Sequence, residues 1–197
     1  MGSFASTMLL TVSGTVTIST VAGIPVGTPY SVIVQYQVPG TPDLSGPNSS
    51  TQMGYLGAPG DSIHGSIGIY TISSSSFQNY GVLYDAQQGD TFGASAGSDA
   101  NSTVPLVSPS ISVQIVGPHG LLQSLELPTT IDTGLIQPVQ GGFASQLLLQ
   151  TRDNIIIAGV SSATLQVQTP ETGSVFLFGL STLVCLVARK RASDRKQ

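Results

Sequence analysis

Positive charge is what this chain has least of. Across residues 1–188 there is one cation, Arg152, against nine acids, a net charge of −8. Binding to phosphate backbones needs clustered Lys and Arg, so nucleic acid is excluded as a partner class. Cysteine is almost missing too. Cys185 stands alone, so no disulfide can form within the chain, and stability has to come from packing and sheet hydrogen bonds. Its scarcity suits an exported bacterial protein as well as a cytosolic one. Charged residues of either sign make up only 8% of the sequence, against ~25% in ordinary soluble domains. Solubility therefore rests on Ser, Thr, Asn, Gln and Gly. Disorder does not follow, because the chain is 40% apolar and low charge density gives little self-repulsion. A sustained helical period and internal repeats are also lacking.

What is present is alternation. "TVSGTVTIS" places Val12, Val16 and Ile18 on one face and Ser13, Thr15 and Thr17 on the other. "SVIVQYQV" sets Val32, Val34, Tyr36 and Val38 against Gln35 and Gln37, and "SISVQIV" repeats the pattern with Ile111, Val113 and Ile115. A period of two in β-branched and aromatic residues reads as half-buried strands. Further strands are expected at 66–72, 80–84, 91–95, 121–127, 143–150 and 155–167. Pro- and Gly-rich punctuation separates them at 38–50, 57–61, 86–90 and 116–120. A length of 197 residues suits one domain of ~100–200 residues. About nine short strands at this spacing predict an all-β fold, a β-sandwich with jelly-roll connections as a variant. The longest irregular stretches are 38–62 and 97–109.

Chemistry is sparse. His64 and His119, the only histidines, sit beside glycine in expected strand-end or turn positions, with no spacing that pairs them. Asp85, Asp90 and Asp99 form the densest oxygen cluster, and a calcium loop would need about six to eight oxygens. "DAQQGDTFGASAGSDAN" lacks the alternating ligands of an EF-hand, and turn-forming Asp and Asn explain it without a metal. No Gly-x-Ser-x-Gly elbow occurs, and no glycine turn precedes a helix to cradle phosphate. Asn48 and Asn101 begin glycosylation sequons. Tyr30, Tyr36, Tyr70 and Tyr84 offer rings for sugar stacking, although their strand positions favour packing. The expectation is no catalytic residue, no cofactor and no enzyme activity. A hydrolase would need His64 or His119 beside an acid in a cleft.

The remaining cations are gathered at the end. Residues 189–197 hold five cations, among them Arg189, Lys190 and Arg191, against Asp194, a net charge of +4. They follow "VFLFGLSTLVCLVA", Val175–Ala188, which carries no charge. As a helix this run is roughly 21 Å long at ~1.5 Å per residue, short of a ~30 Å hydrocarbon core. It is nonetheless apolar on every side, and the basic cluster behind it acts as a membrane stop by the positive-inside rule. Snorkelling Arg and Lys lessen the mismatch. The reading is an exported domain over 1–168 and a tail over 169–197, comprising a short hydrophobic transmembrane helix at 174–188 and a basic cytoplasmic end at 189–197. Such a helix gives a marginal, temporary inner-membrane anchor.

Ahead of the helix stands Pro170-Glu171-Thr172-Gly173. This motif, the apolar helix and the basic cluster, in that order, resemble the PEP-CTERM sorting signal of Gram-negative bacteria. Thr172 stands where that signal has its second Pro. The body, with "SGTVTIS", "GDTFGASAG" and "LELPTTID", is loosely similar to bodies of that group. The resemblance implies processing by an exosortase, a cell-surface or extracellular location, and association with exopolysaccharide or biofilm matrix. A second resemblance is to the sortase motif Leu-Pro-x-Thr-Gly, from which "TPETG" differs at Thr169; it would join Thr172 to cell wall. A carbohydrate-binding module with the same surface address is a third reading. Each route implies an export signal, whereas "MGSFASTMLLTVSG" has no basic residue and only a brief "MLL". The expectation is an upstream start or a fragmentary record.

Overall fold

Alternating side chains build one face of every long strand into the core. The computed structural model describes residues 6–45, 48–74, 77–136 and 144–168, with backbone alone at 77 and 78. In β1 (Ser6–Ser19) Met8, Leu10, Val12 and Val16 are buried; in β2 (Pro29–Val38) Tyr30, Val32, Val34, Tyr36 and Val38 are buried. The "MLL" run is thus part of a core strand. The remaining strands are β3 (Thr41–Pro42), β4 (Gln52–Leu56), β5 (Ser62–Ile67), β6 (Tyr70–Ser74), β7 (Phe77–Asp85), β8 (Gly89–Gly97), β9 (Ser110–Gly117), β10 (Gln146–Gln150) and β11 (Ile155–Gln168). A 3-10 turn at Thr133–Leu135 is capped by the Asp132 carboxylate.

The protein is nearly all β. The strands form one antiparallel sheet in the order β3-β4-β7-β8-β9-β10-β11-β1-β2-β5-β6. Tyr36 on β2 nevertheless meets Tyr80 on β7 and Phe92 on β8, with ring centroids 5.8 and 5.3 Å apart. Strands so distant in the sheet can touch only if the sheet curls over on itself. Its inner face then encloses a single core, and its outer face turns to solvent.

Sheet edges are templates for unwanted pairing, and both are managed. β3 is only two residues long and contains Pro42. β6 is covered by the loop after β8: Asp99 N–H donates to Ser73 O, Thr103 N–H to Thr71 O, and Ser73 N–H to Ser102 Oγ. A chain without disulfides keeps its ends closed by loop hydrogen bonds.

The structure corrects several sequence expectations. Ile18 is 51% exposed instead of joining Val12 and Val16, because the β1–β11 register shifts between Val16 and Ile18 and turns the strand over. The single strand expected at 66–72 is the end of β5, a two-residue turn and the start of β6. Gly68 has φ +57°, the positive value a tight hairpin needs at its first turn position. The segment 121–127 is no strand at all. Leu121, Leu122 and Leu127 are buried, but side chains satisfy the local backbone: Tyr55 Oη donates to Leu125 O, and Tyr36 Oη to Pro128 O. β3 and β4 lie inside the stretch expected to be irregular; with 121–127 lost and 66–72 split in two, the described residues hold eleven strands. The sorting motif Pro170–Gly173, the helix 174–188 and the cluster Arg189–Arg191 lie outside the described residues.

Candidate functional site

The three aspartates flagged in the sequence do not converge on one point. Asp85 closes the β7–β8 turn, its Oδ1 accepting from Gln87 N (2.7 Å) and Gln88 N (3.2 Å). Asp99 accepts from Asn101 N (2.8 Å) and Ser73 Oγ (3.0 Å) at the β6 edge. Asp90 points inward from β8 and is fully buried. Among the described residues there is no group of three or more His, Cys, Asp or Glu placed to hold a metal.

Asp90 instead organises the turn after β9. Its Oδ2 accepts from Gly120 N and Leu122 N, both at 2.9 Å, and its Oδ1 accepts from Asp85 N at 3.3 Å. His119 Nδ1 lies 3.0 Å from Oδ1, and the imidazole packs 4.6 Å from the Tyr84 ring. An acid beside a histidine is half of a hydrolytic constellation. No hydroxyl or thiol among the described residues hydrogen-bonds to this imidazole. Three backbone donors hold the carboxylate, as they would hold a structural anchor. His64 is exposed on β5, with Ser62 Oγ at 3.4 Å as its neighbour. Of the four tyrosines, Tyr30 and Tyr36 are buried, while Tyr70 and Tyr84 are half-buried against the core. Burial pushes the Tyr30, Tyr36 and Tyr80 phenols well above their usual range, and for Tyr80 the Asp61 carboxylate that it hydrogen-bonds adds to the effect.

A hollow lies on the outer face, where β4, β7, β8 and β9 run side by side. It has a volume of about 730 Å³. Register explains its shape. Gly54 pairs with Gly81, Gly81 with Gly93, and Gly93 with Gln114, so three glycines line up directly across three strands. The rows on either side keep their side chains. One runs Leu83–Thr91–Val116 and the other Asn79–Ser95–Ser112. A trough therefore crosses the strands between β4 and β9, with Gly81 and Gly93 as its open floor. The loop after β3 closes one end, where Asn48 Oδ1 accepts from Gly54 N at 3.0 Å. Gln114 stands at the other end, opposite Gln146 on β10.

Packing does not require the floor glycines. A Cβ on Gly81 would meet nothing within 4 Å, and one on Gly93 would meet only carbonyl oxygens at 3.9 and 4.0 Å. Glycine in a strand interior is disfavoured by roughly 0.5–1 kcal/mol relative to alanine, so two such residues are retained against local stability. Among the described residues its lining has no charged side chain; amides and hydroxyls from Gln52, Gln88, Gln114, Thr91 and Ser112 rim it. Among the described residues, none hydrogen-bonds to the side-chain amides of Gln52, Gln88 or Gln114. Ser95 Oγ donates to Asn79 Oδ1 at 2.6 Å, which leaves the Asn79 amide N–H groups available. Sequence reasoning missed this site. Its one signal is a glycine at the outward position beside an inward aromatic in "MGYL", "YGVL" and "FGAS". No protein-family model, curated protein or solved structure matches the chain.

Proposed function

We propose that this chain is a non-enzymatic exported protein, displayed at the cell surface or in the extracellular matrix and delivered there by its C-terminal tail. The observation that carries the reading is the partition of charge: −8 through residue 188, then +4 in the nine residues behind an uncharged run of fourteen. That order suits a helix that halts in the inner membrane, with Pro170–Gly173 outside as the recognition motif of an exosortase-type processing enzyme and Arg189–Arg191 in the cytoplasm. The curled sheet is read as a β-sandwich whose two layers belong to one continuous sheet. Covered sheet edges and a sparsely charged surface suit a domain that works among polymers, and exopolysaccharide of a biofilm is the proposed setting.

The test is expression of the full chain, behind an export signal, in a Gram-negative host with and without an exosortase. Cleavage of the tail and appearance at the surface, both dependent on the enzyme and lost in Pro170→Ala/Glu171→Ala, are expected. Full-length material with an intact terminus free in the cytosol of the exosortase host would contradict the proposal.

A further inference from the structure

We infer that the glycine-floored trough across β4, β7, β8 and β9 is a binding site for one segment of a neutral polysaccharide, laid across the strands. Its shape comes first. Gly81 and Gly93, paired in register, remove side chains along a line perpendicular to the strands, while the rows on either side stand up as walls; Gly54, next in line, lies under Asp43 and Asn48. Peptide planes are thereby exposed as a flat, narrow floor on which the C–H faces of sugar rings can rest. The walls supply the second part. Hydroxyl-rich ligands present donors and acceptors in equal measure, and the amides of Asn79, Gln52 and Gln114 with the hydroxyls of Thr91 and Ser112 offer both. Charge selects the class. Among the described residues no cation lines the trough to meet a carboxylate or sulfate, and in the first 188 residues only Arg152 is basic, so an acidic polymer would meet a repelling body.

The floor glycines give the inference its sharpest form. Space above Gly81 and Gly93 is open, so side chains there would fill the trough without disturbing the fold. Valine, a better strand former than glycine, is expected to leave folding intact and to abolish binding. The aromatic rings suggested by the sequence are not the platform, because they face the core.

The proposal rests on the surface reading for where the polymer is met, but its test does not. The purified full chain in mild detergent is run by affinity electrophoresis through gels containing laminarin, dextran, galactomannan or xyloglucan, with alginate as the acidic comparison. At least one neutral polymer is expected to retard the protein, and alginate is not. Gly81→Val/Gly93→Val is expected to weaken that retardation at least tenfold with the thermal midpoint unchanged or raised. Gln114→Ala should weaken it less, and Tyr70→Ala should leave it alone. Should the double valine variant misfold, Gly93→Ala and Asn79→Ala carry the same expectation. No retardation by any neutral polymer, retained binding in the filled-trough variants, or loss with Tyr70→Ala would overturn the inference. So would a dimer, seen by sedimentation, that the valines dissociate in a protein no polymer retards. Mis-sorting in cells would instead count against the tail alone.

Discussion

Gly14 and Gly65 on one side of the curled sheet and Gly81 and Gly93 on the other have different causes. On the β1–β2–β5 side they are forced by close packing: a Cβ on Gly14 would run into the carbonyl oxygen of Gly159, and one on Gly65 into that of Ser31. Both are inner-face positions where backbones approach with no room between. On the β7–β8 side, Gly81 and Gly93 face outward into open space. The same residue type in the same kind of strand is thus a packing requirement at Gly14 and Gly65, as it is at Gly89 and Gly117 of β8 and β9, and a removable gap at Gly81 and Gly93. Where packing does not demand a strand glycine, the reason is to be sought in what approaches from outside, and here that is the trough.

The two sides also share one core, and high pH tests that sharing most strongly. Tyr30 and Tyr36 come from one side and Tyr80 from the other, and all three are at most 4% exposed. Their folded pKa values are raised above the ordinary 10.0. Stability from this source is complete below pH 10 and is lost as the pH rises above it, since the unfolded phenols release protons that the folded ones retain. Three such groups give a decline of about 4 kcal/mol per pH unit once the unfolded phenols are ionised. The part of the phenolate absorbance contributed by Tyr30, Tyr36 and Tyr80 is expected to rise together with loss of β-sheet circular dichroism in one alkaline transition. Two separate transitions would mean that the sides have separate cores.

Removing the Asp90 carboxylate is expected to have the next largest effect. Asp90→Ala leaves three backbone N–H groups without their acceptor and should lower unfolding free energy by about 3–5 kcal/mol in urea. His119→Ala should lose under about 1 kcal/mol, since that side chain is 38% exposed. Equal losses would make the pair, and not the carboxylate with its backbone donors, the unit that holds this end of the trough side.

A smaller contrast lies in two core tyrosines of β2. Tyr36→Phe removes the donor to Pro128 O, 2.6 Å away, and is expected to lose about 1–2 kcal/mol. The Tyr30 hydroxyl is buried and has no hydrogen-bond partner among the described residues, so Tyr30→Phe should be neutral or slightly stabilising. Thermal melts of the two single variants distinguish these outcomes.

Much of the fold was legible because β1, β2 and β9 keep a strict period of two with β-branched residues. The rest depended on facts that no local pattern carries. Gly68 inside "SIGIYTI" reads as a weak strand position until its positive φ is known. "LLQSLEL" has the apolar content of a strand, but its backbone partners are Tyr55 and Asp90, distant in sequence. Asp90 looks like a turn or metal residue, although its alternation with Phe92, Ala94 and Ala96 puts it on the buried face. The trough was illegible for the same reason. Each glycine is ordinary alone, and only the pairing register brings the three into line.

One added methyl on each side of the sheet tests the central distinction most directly. Gly65→Ala and Gly93→Ala are compared with the parent chain by thermal unfolding. Overpacking of about 3 kcal/mol should lower the midpoint of Gly65→Ala by about 6–12 °C. Gly93→Ala should melt at or slightly above the parent. A loss in Gly93→Ala as large as that in Gly65→Ala would show that the trough glycine is there for the fold and not for a ligand.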